Sequence, residues 1–175
     1  MRFRHAVKFT VPAFLASALT LTLAPSSVGV DGPFPEAGRY KTQGGPTTLY
    51  DDGDVLVAWD TSRVFKWEGG IPTRWQVNVT YFNRSDESVN LTCGGWDTDQ
   101  VRETIYREGK SIGYVSAERD LCSENPDWNK DLGPNETVKS WAIFHNVPWL
   151  GDRVELQWGD VGTSQQLNPF GARIR

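Results

Sequence analysis

Two cysteines, Cys93 and Cys122, and two histidines, His5 and His145, are all that this 175-residue chain offers in thiol or imidazole chemistry. A thiol nucleophile needs a base that keeps it as thiolate. His5 sits among Arg2, Arg4 and Lys8 at the N-terminus, so His145 alone is left for that task. It closes an apolar run and precedes Asn146-Val147-Pro148, the setting of a strand-end histidine more than of a general base. Serine catalysis would have to recruit the same residue, and no Gly-x-Ser-x-Gly elbow is expected to present the serine. A zinc centre takes several His or Cys ligands, and one histidine beside two cysteines does not supply them. No Walker-type or dinucleotide-binding glycine loop is present. No catalytic residue, no metal site and no cofactor is therefore expected.

Carboxylates are the next group with chemistry to offer. Asp51, Asp52 and Asp54 surround Gly53, and Asp97 and Asp99 follow Trp96. Oxygen ligands in short loops suit calcium, yet Asp-Asp-Gly-Asp is also ordinary turn chemistry and the EF-hand spacing is absent. Paired carboxylates also cleave glycosides, but any acidic surface supplies such pairs. In an oxidising compartment the two cysteines are read first as one bridge. It closes a loop of about 30 residues and stabilises the fold by roughly 3–4 kcal/mol.

All eight tryptophans lie beyond the first 58 residues. Trp75, Trp141 and Trp158 fall in strand patterns and belong to the core. Trp67, Trp96, Trp128 and Trp149 sit beside Gly, Asp, Asn or Pro, in expected loops. Loop tryptophans either fold back over the end of a domain or meet a ligand, by stacking on sugars or anchoring a partner. Trp96, Trp128 and Trp149 are the ligand-binding candidates. Asn78, Asn83, Asn90 and Asn135 each begin an Asn-x-Ser/Thr triplet, half of the eight asparagines. On a eukaryotic secretory route these would be glycan acceptors; in a bacterial chain they are incidental to Thr-rich strands and Asn-Ser turns.

The elements that must hold these residues are mostly strands. Val55, Val57 and Trp59 alternate with Leu56 and Ala58, and Trp75, Val77, Val79 and Tyr81 alternate with polar residues. The second run reads as a half-buried strand. After the polar turn Asn83–Asp86, Val89, Leu91 and Cys93 alternate again, which predicts a hairpin of the two runs with the cysteine on its buried side. Thr104–Arg107 and Ser111–Val115 flank Glu108-Gly109-Lys110 as a second hairpin. Residues 123–133 read as a loop with at most one helical turn. Thr137–His145 and Arg153–Trp158 read as strands, and Arg102, Glu103 and Lys139 as charges that protect sheet edges. About seven short strands fit an antiparallel β-sandwich better than a closed barrel.

Ahead of the strands, residues 1–29 read as a signal peptide. Three basic residues and no acid precede an apolar stretch from Phe9 to Ala24, and Ser27 and Gly29 are small enough for a cleavage site. That stretch is shorter than the about 20 apolar residues of a spanning helix. Its removal leaves 15 basic against 22 acidic residues, a charge near −7, which disfavours a nucleic-acid partner. Residues 30–48 form an irregular lead-in, 49–160 the sandwich and 161–175 a C-terminal tail. The 38% hydrophobic and 23% charged composition fits one globular domain.

Two stretches resemble a known family. Val77-Asn78-Val79-Thr80-Tyr81-Phe82-Asn83, followed by Ser85-Asp86-Glu87, resembles the strand and turn of telokin-like immunoglobulin domains of exported bacterial proteins. So does Leu132-Gly133-Pro134-Asn135-Glu136-Thr137 with the strand holding Trp141 to Phe144, then Pro148 and Val154-Glu155-Leu156. The mycobacterial secreted immunoglobulin-like antigens are a similar case. Asn135 stands where the family pattern has glycine. The resemblance implies an immunoglobulin-like sandwich, export, and a role in binding, adhesion or inhibition, with no catalytic residues. The expectation is a secreted, non-enzymatic, monomeric binding domain for an extracellular protein or glycan. The rival readings are a carbohydrate-binding module using the loop tryptophans and an inhibitor presenting Asp120–Trp128 to an extracellular hydrolase.

Overall fold

The computed structural model describes residues 2–5, 27–29, 40–41, 45–69, 71–93, 100–145 and 151–168. Among these the chain forms strands β1 (Arg2–His5), β2 (Ser27–Gly29), β3 (Tyr40–Lys41), β4 (Thr47–Asp51), β5 (Val55–Glu68), β6 (Ile71–Asn83) and β7 (Val89–Thr92). There follow β8 (Val101–Arg107), β9 (Lys110–Ser116), β10 (Arg119–Asp120), the single helical turn α1 (Leu121–Glu124), β11 (Asn129–Leu132), β12 (Thr137–His145), β13 (Arg153–Trp158) and β14 (Gly162–Leu167). They assemble into three sheets. One has the order β1-β7-β11, the second β10-β12-β6-β5-β3 with β2 beside β12 and β4 beside β5, and the third β14-β13-β8-β9. Only the short β2–β12 pairing is parallel. The protein is an all-β chain of antiparallel sheets, with more strands than the seven expected.

The excess has two sources. Short polar strands such as β11, with Asn129, Lys130 and Asp131 ahead of the buried Leu132, carry no alternation to announce them. The segment expected as a C-terminal tail contains β14, which pairs along its whole length with β13, so the ordered fold runs past residue 160. Likewise β3 falls inside the expected lead-in, where β4 also begins, and both pair with β5. Of the N-terminal segment, Arg2–His5 lies antiparallel to β7 and Ser27–Gly29 parallel to β12. The apolar stretch between Phe9 and Ala24 falls outside the described residues.

β6 is the centre of the second sheet, between β5 and β12. Trp75, Val77, Val79 and Tyr81 are fully buried on one face, as their alternation requires, but Gln76 and Asn78 on the opposite face are buried too. The strand is therefore covered on both sides from Trp75 to Val79 instead of half-buried. The expected hairpin of β6 with β7 does not form, because β7 pairs with β11 and β1 in another sheet. The turn between them carries the chain from sheet to sheet, and Asn83 pins it. This residue is fully buried, and its amide nitrogen donates to the carbonyls of Glu87, Leu132 and Gly133 at 2.7, 2.8 and 3.1 Å. Its amide oxygen accepts from the backbone N–H and hydroxyl of Ser85. A polar anchor of this kind is required where a turn is buried against a neighbouring strand.

The second expected hairpin is present. β8 and β9 pair through a two-residue turn in which Glu108 (φ 51°) and Gly109 (φ 77°) both take positive φ, as a type I′ turn demands. β8 lies between β13 and β9, however, so Arg102 and Glu103 are not on an edge, and Glu103 is fully buried. One apolar cluster joins all three sheets. Leu91 and Leu132 come from the first, Trp59, Trp75, Tyr81 and Phe144 from the second, and Val101, Leu156 and Trp158 from the third. The Trp158 indole N–H donates to the Tyr81 hydroxyl at 2.8 Å, which satisfies the one polar handle each ring brings inside. Burial, the dominant influence, pushes the Tyr81 phenol far above its ordinary pKa, so it stays neutral.

Candidate functional site

A hollow lies beside the segment that the two cysteines constrain. Cys93 and Cys122 are joined, with their Cα atoms 5.2 Å apart and both residues buried. Cys122 lies on α1, which is only 4 residues long and would not persist in isolation. Asp120 caps it. Its carboxylate accepts from the backbone N–H groups of Cys122 and Ser123, each at 2.8 Å, while the Ser123 hydroxyl accepts from the Asp120 N–H at 2.9 Å. This reciprocal arrangement is a capping box. The chain then folds back tightly, Asn125 N–H donating to the Leu121 carbonyl and Trp128 N–H to that of Asn125, both at 2.9 Å.

Cys93 closes the loop a second time. Its backbone N–H donates to the carbonyl of Trp128 at 3.2 Å. One residue just past β7 thus holds both ends of the loop, Cys122 through sulfur and Trp128 through the backbone. Trp128 is half-buried and packs against the core cluster. Beside it Glu124, Asn125, Pro126 and Asp127 complete a shallow open hollow of about 420 Å³. Glu124 accepts from the Arg119 guanidinium at 2.6 Å, and that bond holds its carboxyl below the ordinary carboxylate range. The hollow therefore offers part of an indole ring, an amide and two carboxylates on a backbone tied at both ends. It can stack on a flat apolar face and accept hydrogen bonds from hydroxyl or amino groups.

The other residues singled out from the sequence are dispersed. Trp96 and Trp149 lie outside the described residues, as do Asp97 and Asp99. Trp67 belongs to β5, not to a loop. Trp75, Trp141 and Trp158 are core, as expected, and Trp59 joins them. Asp51, Asp52 and Asp54 form the turn before β5. Asp52 accepts from the N–H groups of Asp54 and Val55 at 3.0 and 2.7 Å and from the Tyr50 hydroxyl at 2.8 Å, while Asp51 accepts from the Gly53 N–H and the Arg84 guanidinium. These carboxylates organise a turn. The Arg84 bond is the main reason the Asp51 carboxyl lies below its ordinary range. Burial alone would raise Asp52, but its hydrogen bonds outweigh that and lower it.

His145 closes β12 with its Nδ1 3.5 Å from Glu118 Oε2, the oxygen that also accepts from Arg74 at 2.8 Å. The imidazole is half exposed in a surface ion cluster. Gly109-Lys110-Ser111-Ile112-Gly113 does spell Gly-x-Ser-x-Gly, which corrects the expectation that the chain has no such motif. A nucleophile elbow is a strand-to-helix turn, whereas this stretch is the hairpin turn and first half of β9, with Ser111 opposite Tyr106. The spelling is incidental.

The asparagine triplets divide by burial. Asn83 is fully buried as the corner anchor, and Asn78 is buried with its side-chain oxygen accepting from Gln76 at 2.8 Å. Both side chains lie inside the fold. Asn90 is only partly buried, bonded to Asn129 and Asp131, and Asn135 is exposed at a positive φ of 60°, a conformation asparagine tolerates. What the sequence did not point to is the cap. Asp120 with Ser123 three residues on, straddling Cys122, is a signal legible in hindsight as a short helix start. In comparisons with known proteins, the chain matches no family model, no curated protein and no solved structure.

Proposed function

We propose that this chain is an exported, non-enzymatic recognition domain of immunoglobulin-like sandwich type, and that the hollow at Glu124–Trp128 receives a glycan. The observation that carries the reading is the double tether from Cys93. A loop held at both ends meets a ligand without first losing conformational freedom, and such preorganisation raises affinity. Trp128 supplies an aromatic face for a sugar ring, while Glu124, Asn125 and Asp127 supply acceptors for its hydroxyls. A concave loop suits this better than the inhibitor reading, which calls for a protruding segment. Export is supported by the order of charged, apolar and small residues in the first 29 positions and by the disulfide, which persists outside reducing compartments.

The test is a titration of purified protein with a panel of neutral and amino-sugar oligosaccharides, followed by tryptophan fluorescence. At least one should give a saturable change that Trp128→Ala abolishes while thermal unfolding stays cooperative. A flat response across the panel, or saturation unaltered in the variant, removes the hollow as a glycan site.

A further inference from the structure

We infer that the hollow at Glu124–Trp128 selects a sugar with free amines, a de-N-acetylated amino sugar whose ammonium groups meet the carboxylates there; this rests on the hollow receiving a glycan at all. No lysine, arginine or histidine lines it. Its polar atoms divide unevenly between acceptors and donors. Glu124 and Asp127 accept only, and Pro126 has no backbone N–H to give. The backbone N–H groups of Asn125 and Trp128 are spent inside the loop, on the carbonyls of Leu121 and Asn125. The Asn125 amide nitrogen also donates to the Leu121 carbonyl, at 3.4 Å, while its oxygen accepts from no described residue. Glu124 takes the Arg119 guanidinium on Oε1, and Oε2 has no described partner. The indole N–H of Trp128 is the principal donor left.

A site rich in acceptors and poor in donors favours a ligand with the opposite inventory. An ammonium group has three donors and no acceptor. An acetamide on the same sugar carbon brings a carbonyl, whose lone pairs would face those of the carboxylates. Hydrogen bonds from a cation to a carboxylate are also about twice as strong as neutral ones. A sugar stacked on the half-buried Trp128 ring gains further when it is cationic, because the face of an indole attracts positive charge. The Arg119 guanidinium offsets the Glu124 charge, with its Nε 2.6 Å from Oε1. Asp127 is exposed and bonded to no described side chain, so it is the carboxylate that discriminates. At longer range, 15 basic against 22 acidic residues beyond the first 29 draw a cationic oligomer toward the surface.

The test is calorimetric titration of the mature protein with two tetrasaccharides of the same linkage, one of glucosamine and one of N-acetylglucosamine. The glucosamine tetramer should bind about tenfold tighter or more, and its advantage should shrink as salt is added. Asp127→Asn should cut that advantage several-fold and leave the affinity for the acetylated tetramer unchanged. Asp127 is exposed, so the thermal melt of this variant should match the wild type. Equal affinity for the two tetramers, or a preference for the acetylated one, overturns the inference; where Trp128→Ala still abolishes that binding, the glycan reading of the hollow stands without it. A preference that Asp127→Asn leaves intact overturns it too, since the amines are then read elsewhere. Binding of neither tetramer also overturns it, and a flat response across the wider sugar panel removes the glycan reading as well.

Discussion

Replacing Asn83 by alanine removes one amide that serves three carbonyls, one of them buried and two partly so. Unsatisfied buried acceptors cost more than the net worth of the bonds they lose. The expected loss is about 2–4 kcal/mol in urea unfolding, with a larger loss of structure in residues 129–133 by hydrogen exchange than elsewhere. Asp52 works on a partly exposed turn, and its effect is one of pH. Its folded-state pKa is lowered, so protons bind more tightly to the unfolded chain. Its contribution is complete above the ordinary value of about 4 and is lost as pH falls through the folded-state value. Asp52→Asn should therefore flatten the acid limb of stability between about pH 5 and pH 2 while changing little at neutral pH beyond a constant offset. The sequence marked both residues as turn formers, Asn83 also as a candidate glycan acceptor and Asp52 as a candidate calcium ligand. Their roles depend on where the turn is docked, which for Asn83 means carbonyls about 50 residues away.

Among the elements, β6, β7 and β13 were legible because alternating burial leaves a period of two in the residues themselves, and β12 because it is a continuous apolar run. Their partners were not. β6 and β7 look like a hairpin by every local criterion, yet the buried turn sends them to different sheets, a choice made by Leu132 and Gly133 far along the chain. β11 and β14 were invisible for the opposite reason, since polar side chains dominate both and the backbone ladder alone defines them. One helical turn was expected within residues 123–133, whereas α1 starts earlier, at Leu121, and so presents Cys122. Converting Cys93 and Cys122 together to serine should lower stability by about 3.5 kcal/mol through the reopened loop. The change in chemical denaturation midpoint reports it. The Trp128 end of the loop should then exchange its amides faster, because only the backbone bond to Cys93 remains.

At the scale of the whole molecule, the order of the chain and the order of the sheets disagree. β14, the last described strand, lies against β4, one of the earlier ones, so closely that a methyl group on Gly162 would collide with the carbonyl oxygen of Leu49. The Gln166 side chain reaches back to the Trp59 carbonyl at 3.3 Å, and Asn168 donates to that of Gly151 at 2.8 Å. Deleting residues 162–175 should therefore abolish cooperative melting and the near-ultraviolet signal of the buried tryptophans. Loss of a mere appendage would leave both intact. Contacts between such distant positions form slowly. A polypeptide emerging from the ribosome cannot complete this interior until the strand Gly162–Leu167 has appeared, and until then its earlier strands lack the partners that would fix them.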